Sequence, residues 1–548
     1  MSEGAADRSP GCAAIEAPMP VPARFDLECD LLVIGYGAAG AAAALEAAER
    51  GLDVLLVDRF SGGGASLLSG GIVYAGGGTR QQIQAGRRDT PEAMARYLAR
   101  EVGDAVSAET IRKYCDGSAA MLAWLEARGV QFDAAEAPHE TSYPSRDHYL
   151  YFSGNEMVPA NRADIPPAPR GHRAKGAWLS GRAMMEALMA RVTATRGITI
   201  RTETAARRLI VDSMGGIVGA ELMALPPGSA AARRHRFLHR WARVIALQVS
   251  GISDLLMRRM AAIEARHAAP LRVRARLGVV LAAGGFVKNR AMMERHAPEF
   301  LKGFPLGSSG CDGSGIRLGL SAGGRLEKAN SVSAWRFINP PHAFAKGIVV
   351  DPAGRRLTNE EQYGARLGDA LMRRGGGRAF VILDAALRAE AKAEIAGGSL
   401  WGFQSFPARY ILAMAKKADT IAALAAKLGM APDVLMASVE ANNAACHGAP
   451  DPVGKSDEMR GAIAQGPFYA LDISAGSSTF PLPVLTLGGL AVDEASGAVL
   501  NQAGEAVPGL YAVGRTARGL PSNFYVSGLS LGDCIWSGRR TAIHLASG

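Results

Sequence analysis

The chain has 548 residues, 48% hydrophobic and 20% charged, which suits two or three ordinary globular domains with large cores. Its six cysteines (Cys12, Cys29, Cys115, Cys311, Cys446 and Cys534) are scattered without a C-x-x-C pair, which argues against a disulfide framework and for reduced thiols in a cytoplasmic protein. Residues 1–24 read as a disordered leader and not a signal peptide, and no apolar run reaches the length of a membrane span.

The first ordered unit is Cys29 to Asp58. Leu31 to Ile34 reads as a buried parallel strand, Gly35-Tyr36-Gly37-Ala38-Ala39-Gly40 supplies a G-x-G-x-x-G turn, and Ala41 to Arg50 has strong helix propensity. Leu52 to Val57 is a second strand closed by Asp58, an acid 23 residues after Gly35. Strand, glycines, helix, strand and acid in this register describe a dinucleotide site. The pyrophosphate sits on the helix N-terminus and the acid meets a ribose hydroxyl. A high glycine content, 66 residues, suits a backbone wrapped around a large ligand.

Further on, Ile198 to Leu209 and Ile217 to Leu222 read as strands of a small sheet. Between Ala231 and Arg276 lie eleven arginines and no lysine, opposed only by Asp254 and Glu264, so nine of the ten net positive charges fall there. Phe237, Leu238, Trp241, Val244, Ile245, Leu247 and Val249, then Leu255, Leu256, Met260 and Ile263, recur at helical spacing. The block reads as a basic amphipathic hairpin broken near Ser250-Gly251. Two readings of it stand: peripheral attachment to an anionic membrane surface, or an excursion packed on its own protein with the arginines solvated. No nucleic-acid module surrounds it.

Arg276 to Phe286 is then an apolar strand ending in Ala283-Gly284-Gly285, a second close approach of backbone to the dinucleotide. Gly310 to Gly315 opens another helix. Residues 326–474 suggest an α+β cap, with strands at Gly347–Asp351 and Ala379–Asp384 and helices over Lys416–Leu428 and Asp433–Asn443. Gly509 to Arg515 is one more strand and glycine turn, followed by a helix from about Ser530 to Ala546. The dinucleotide domain is thus discontinuous, 25–325 and 475–548, with 231–276 as a helical excursion.

Together with Ser66-Leu67-Leu68-Ser69-Gly70-Gly71, these motifs resemble the fumarate reductase/succinate dehydrogenase flavoprotein superfamily over nearly the whole chain. The resemblance implies an α/β fold in which a Rossmann-like FAD-binding domain carries an inserted α+β cap or catalytic domain. It implies FAD held by Gly35, Gly37, Gly40 and Asp58 on the ADP half and by Ser69 to Gly71 and Gly76 to Thr79, Gly78 included, on the flavin side. Ala38, Ala39, Arg59, Ser66, Ala283, Gly284, Asp312, Gly514, Arg515, Ser530 and Leu531 complete the implied site. The C-terminal helix would point its positive N-terminus at the flavin. Members with covalent flavin carry a histidine near Ser66 to Gly71; none is present, so non-covalent FAD is expected.

The dicarboxylate members fit poorly, because a His-Pro-Thr segment and an arginine clamp are missing. Gly62-Gly63-Gly64-Ala65-Ser66, Tyr74 to Thr79 and Tyr525-x-Ser527 resemble the FAD-dependent 3-ketosteroid dehydrogenases, above all those forming the Δ4 bond of 3-keto-5α-steroids. On that resemblance Tyr525 polarises the ketone with a backbone N–H of the Gly528 to Ser530 turn. Ser527 lies beside the carbon that loses its proton, and Tyr363 relays the proton from the cap. The implied partners are an apolar steroid-like ketone and an electron acceptor, a quinone or similar. A sister enzyme forming the 1-ene or reducing another enone, and a flavin-bearing membrane-docked electron carrier, are the alternatives. Structural readings stand beside each residue: a core tyrosine, a helix-initiating serine, a domain-interface tyrosine. Arg355-Arg356 reads as a solvated pair, and His172 and His342 as structural or rim residues. No metal motif is present. The aromatics Trp335, Phe337, Phe344, Trp401, Phe403 and Phe406 read either as pocket lining or as cap core.

Overall fold

The structure is a computed structural model that describes residues 9, 11–245, 250–477 and 480–547. β1 (Leu27–Ile34) runs into Gly35, whose φ of +114° is a region side chains rarely adopt, and α1 (Ala38–Glu49) starts directly after Gly37. A Cβ at Gly40 would overlie the Gly35 carbonyl oxygen, so this glycine lets the first helical turn sit on the strand end. β2 (Val54–Val57) pairs parallel to β1, Leu31 opposite Val54 through Ile34 opposite Val57, and β3 (Ile198–Arg201) extends the sheet beyond it. Both faces are covered at Leu31 to Ile34 and along β2, which is why these stretches are continuous apolar runs. Leu31, Val33, Val54 and Leu56 join the core beside α1, while Leu32, Ile34, Leu55 and Val57 join the core on the opposite face.

Residues 198–222 do not form a sheet of their own. β4 (Thr204–Val211) and β5 (Ile217–Ala224) are an antiparallel pair in the same nine-stranded sheet that contains β1 to β3. The basic block follows as two helices, α2 (Ala230–Ile245) and α3 (Ser250–His267). Leu247 and Val249 lie outside the described residues. The helical excursion also ends earlier than 276. Residues 269–276 already belong to β6 (Ala269–Leu281), so Arg272, Arg274 and Arg276 are strand arginines, paired with Glu221, Glu28 and Asp30.

β6 organises the sheet. Ala269 to Arg274 pairs antiparallel with β5, Val279 to Leu281 pairs parallel with β7 (Ala506–Ala512), and the opposite edge pairs with β1. The register with β1 shifts between Ala275 and Gly278, and a Cβ at Gly278 would press on the Tyr511 ring. α4 (Leu529–Ser547) lies along α1 so closely that a Cβ at Gly538 would strike the Ala39 carbonyl oxygen, which explains why α1 is almost entirely alanine.

Residues 11–24, read as part of a disordered leader, are the clearest departure from the sequence reading. Met19–Pro20 pairs parallel with β4, and Cys12 and Ala13 are buried. The Ala13 N–H donates to Asp312 at 2.7 Å, and Arg317 donates to the Ala13 carbonyl at 2.7 Å. A segment with few large apolar side chains is held here by hydrogen bonds to its backbone, which composition does not reveal.

In the inserted region four antiparallel strands run in the order Ile348–Val350, Phe380–Leu383, Phe468–Asp472 and Lys416–Ala418. The expected Lys416–Leu428 helix therefore begins as strand, over Lys416–Ala418. The helix starts at Ile421, because Thr420 accepts from the Ala423 N–H as an N-cap. Among the described residues no helix is long and apolar enough to cross a membrane.

Candidate active site

A cleft opens where β1, β6 and β7 end. Of the expected cofactor residues it is lined by Gly35, Gly37, Ala38, Ala39, Asp58, Arg59, Ser66, Ala283, Gly284, Asp312 and Arg515. The strand ends are laced together there. Ala282 N–H donates to Ile34 at 2.8 Å, Val513 N–H to Leu281 at 3.0 Å, and Gly284 N–H to the Thr516 hydroxyl at 2.9 Å. Gly514 takes a φ of +56° and donates to Ser537 at 3.0 Å. The first N–H groups of α1 face the cleft, with Ala38 N–H 3.1 Å from the Ser66 hydroxyl. Asp58 is half-buried and accepts from Tyr36 and Phe60 N–H, both at 2.8 Å; desolvation raises its pKa and these bonds oppose the rise. A helix N-terminus, close-packed glycines and an acid at the next strand end fit a dinucleotide, so the cleft fits FAD.

Other expected residues lie around the cleft and do not line it. Ser69 accepts from Gly71 N–H at 3.2 Å, and Tyr143 donates to the Gly70 carbonyl at 3.0 Å, so this loop is braced internally. Gly78 and Thr79 N–H both donate to Gln82, and the Thr79 hydroxyl caps the helix at Arg80–Gln84 and meets His172 at 2.9 Å. His172 is fully buried, which pushes its pKa down to about 4, in keeping with a structural role. Ser530 and Leu531 are in the first turn of α4. Among the described residues no group of His, Cys, Asp or Glu could hold a metal ion.

Tyr525, Ser527 and Tyr363 do converge. Gly528, with a φ of +85°, turns the chain from Ser527 into α4. The Ser527 hydroxyl lies 3.2 Å from Tyr151, and it is among the groups that lower the Tyr363 phenol pKa through a hydrogen bond. Burial nevertheless dominates and holds Tyr363 and Tyr151 well above the ordinary phenol range. Tyr525 is pushed up to about 12 by burial, opposed by Arg515 and by the Gly528 N–H. All three phenols are therefore neutral donors at neutral pH. Tyr363 is placed by its backbone, since its N–H donates to Asn155 at 2.7 Å and Asn155 is in turn bonded to Glu101 at 3.1 Å.

Tyr151 was not apparent in the sequence. It lies in a two-residue strand, Leu150–Tyr151, with no motif around it, and reaches Ser527 only through the pairing of that strand with Gly171–Arg173. The aromatic set divides. The Trp335 ring lies 4.6 Å from Tyr525, and Phe337 lies 5.8 Å from Tyr363. Phe344 is core, Trp401 is buried and donates to the Pro144 carbonyl, and Phe403 and Phe406 are exposed. Arg356 is not solvated; it is paired with Glu360 and Asp451, both at 2.7 Å, whereas Arg355 is exposed.

Fold and cleft together define an FAD-binding oxidoreductase scaffold. The chain belongs to the FAD binding domain family, whose model matches residues 30–531. It is 41% identical to the 3-oxo-5-alpha-steroid 4-dehydrogenase of Comamonas testosteroni over 88% of this chain and 92% of that one. It is 26% identical to a 3-oxosteroid 1-dehydrogenase of Mycobacterium tuberculosis over 95% and 98% of the two chains. Among solved structures it is similar to the 3-ketosteroid-delta4-(5alpha)-dehydrogenase of Rhodococcus jostii RHA1 in complex with 4-androstene-3,17-dione. That likeness has a TM-score of 0.80 and 29% identity, and covers 97% of this chain and all of the other.

Asp533, in the second turn of α4, carries a consequence for stability. It is buried, which pushes its pKa up from 3.8 to about 6 against the pull of Leu520 N–H and Arg540. An acid whose folded pKa is raised is ionised more easily in the unfolded chain, so it lowers stability as pH rises from about 4 to about 6 and costs a constant amount above that. The shift of roughly two units corresponds to about 3 kcal/mol. Asp533→Asn should match wild type near pH 4 and gain on it up to pH 6 in denaturant unfolding. A stability gap that does not change with pH would remove Asp533 as the titrating group.

Proposed function

We propose that the chain dehydrogenates a 3-keto-5α-steroid, introducing the C4–C5 double bond. The observation that carries this reading is the Ser527 hydroxyl held among Tyr151, Tyr363 and Tyr525 at the turn into α4. The likeness to steroid 4-dehydrogenases supports the substrate class. Tyr525 donates its phenol to the ketone oxygen, aided by a backbone N–H of the Gly528 to Ser530 turn, which makes the neighbouring C–H acidic. Ser527 accepts that proton and passes its own to Tyr363 or Tyr151. Because a serine or phenol is a weak base, the gain must come from charge stabilised at the ketone oxygen. FAD, when bound, supplies the hydride acceptor. Trp335 and Phe337 beside these hydroxyls suit a flat, apolar ring system and keep water from the transferring proton. A quinone or similar acceptor would reoxidise the cofactor.

The α2–α3 hairpin supports peripheral attachment to an anionic membrane as part of this reading. Phe237, Trp241, Ile252 and Leu255 are exposed on it beside the exposed Arg233, Arg234, Arg240, Arg258 and Arg259. A membrane would hold both a greasy substrate and a quinone.

Tyr525→Phe should keep fold, cofactor and substrate binding, yet slow flavin reduction by a 5α-reduced 3-ketosteroid on the order of a hundred- to a thousandfold. Ser527→Ala should slow it too, and less than additively with Tyr525→Phe. Stopped-flow reduction at the wild-type rate in Tyr525→Phe would displace the proposed site. Acid or heat should release intact FAD, since Ser66 to Gly71 carries no histidine; flavin that stays with the denatured polypeptide would contradict this. The protein should sediment with anionic vesicles at low salt and leave them as salt screens the arginines. Failure to bind such vesicles at low salt would end the membrane reading.

A further inference from the structure

The inner face of the α2–α3 hairpin, away from its exposed aromatics, is built onto the cofactor cleft. The Phe60 ring, just after β2, stacks on His239 at 4.5 Å and His235 at 5.7 Å, and forms a separate core cluster with Ala242, Met257 and Met260. Ser61 meets His239 at 3.1 Å. Glu264 on α3 binds Arg59 at 2.9 Å and His235 at 2.9 Å. Arg59 is held a second time by Asp312 at 3.0 Å and donates to the Gly11 carbonyl at 2.9 Å. The cation that the sequence offered for the cofactor is thus already neutralised by protein carboxylates.

One turn beyond His239, Arg243 reaches the wall of the same cleft. It is half-buried and has no hydrogen bond or ion pair among the described residues. The charged groups that face it are mostly of its own sign: Arg182 and Arg240, with Glu186 as the weaker opposing charge. Glu186 is itself occupied by Arg182 at 2.7 Å. Burial and these like charges depress the Arg243 pKa. A partly desolvated cation without a counter-ion is unfavourable in the folded chain. The cleft it faces is the one whose α1 N-terminus suits a diphosphate.

We propose that Arg243 is a cofactor-binding residue whose guanidinium pairs with the diphosphate of FAD, so that the basic hairpin walls the adenosine-diphosphate end of the site. The bound anion supplies the counter-charge that the protein withholds. Arg59 and Glu264 then act as the clasp that holds the hairpin in place. The hairpin's two faces have separate tasks: exposed aromatics and arginines outside, one unpaired arginine inside.

The test uses apoprotein prepared from the full chain, with FAD, ADP and adenosine as probes in calorimetry and flavin fluorescence. Arg243→Gln should bind FAD and ADP about ten- to a hundredfold more weakly, the range for losing a charged hydrogen-bond partner. Its adenosine affinity should stay within about twofold of wild type, since adenosine has no phosphate. Arg243→Lys should recover part of the loss, and Arg234→Gln, at an exposed position of α2, should bind ADP like wild type. Without any variant, wild-type affinity for ADP should fall with salt more steeply than that for adenosine. ADP binding unchanged in Arg243→Gln overturns the proposal. So does a parallel loss of adenosine, which would mean that the side chain shapes the wall and its charge is irrelevant. The inference rests on FAD as cofactor, and the two failures differ: wild-type apoprotein that takes up no FAD would fault the cofactor, not Arg243.

Discussion

The structure depends on the close approach of three backbone turns at one end of the sheet. β1, β6 and β7 end at Gly35, Ala283-Gly284 and Gly514, and their last amides bond across one another before the chain turns away. Side chains there would collide: a Cβ at Gly35 would lie 2.5 Å from the Ala282 carbonyl oxygen, and one at Gly514 would lie 2.9 Å from the Ala39 Cβ. The space left free is the cleft. Because α1 and α4 must both come close to those turns, α1 is alanine and α4 places Gly538 against it.

The proposed reacting end uses the opposite device. Tyr525, Ser527, Tyr151 and Tyr363 are hydroxyls in an apolar surround, roofed by Trp335 and Phe337. Burial raises each phenol pKa, so none of these groups is a strong base. Such a cluster suits donation to a developing oxyanion and relay of a proton along neutral groups. Tyr363 depends on Asn155 and, through it, on Glu101, so segments far away in the chain set its position.

Two segments that composition marks as peripheral prove to be built into the cofactor side. The N-terminal segment is bonded to Asp312 and Arg317, and the basic hairpin is clasped through Arg59 and Glu264. Asp312 and Arg59 serve both, so a motif acid and a motif arginine hold protein to protein at this end of the cleft. Pairing charges inside the protein leaves the site's remaining cations, Arg243 and Arg515, available to a ligand anion.

The sequence alone determined what depends on local physics. The G-x-G-x-x-G turn, the apolar strand runs, the alanine helix and the Ala283-Gly284 strand end are written in spacing and steric demand, and the folded chain carries each of them. Tyr525, Ser527 and Tyr363 all came from the family resemblance; only the nearness of Tyr525 to Ser527 follows from local spacing. Tertiary structure decided what depends on segments far apart in the chain. Tyr151 has no local signal and reaches Ser527 across 376 residues. Arg59 lines the cleft, and its pairing with Glu264, 205 residues away, could not be read from the sequence. The order of residues 11–24, the strand character of Arg272 to Arg276 and the pairing of Arg356 follow the same rule. Hydrogen bonds and ion pairs to distant partners leave no periodicity in a sequence, whereas hydrophobic repeats and glycine turns do.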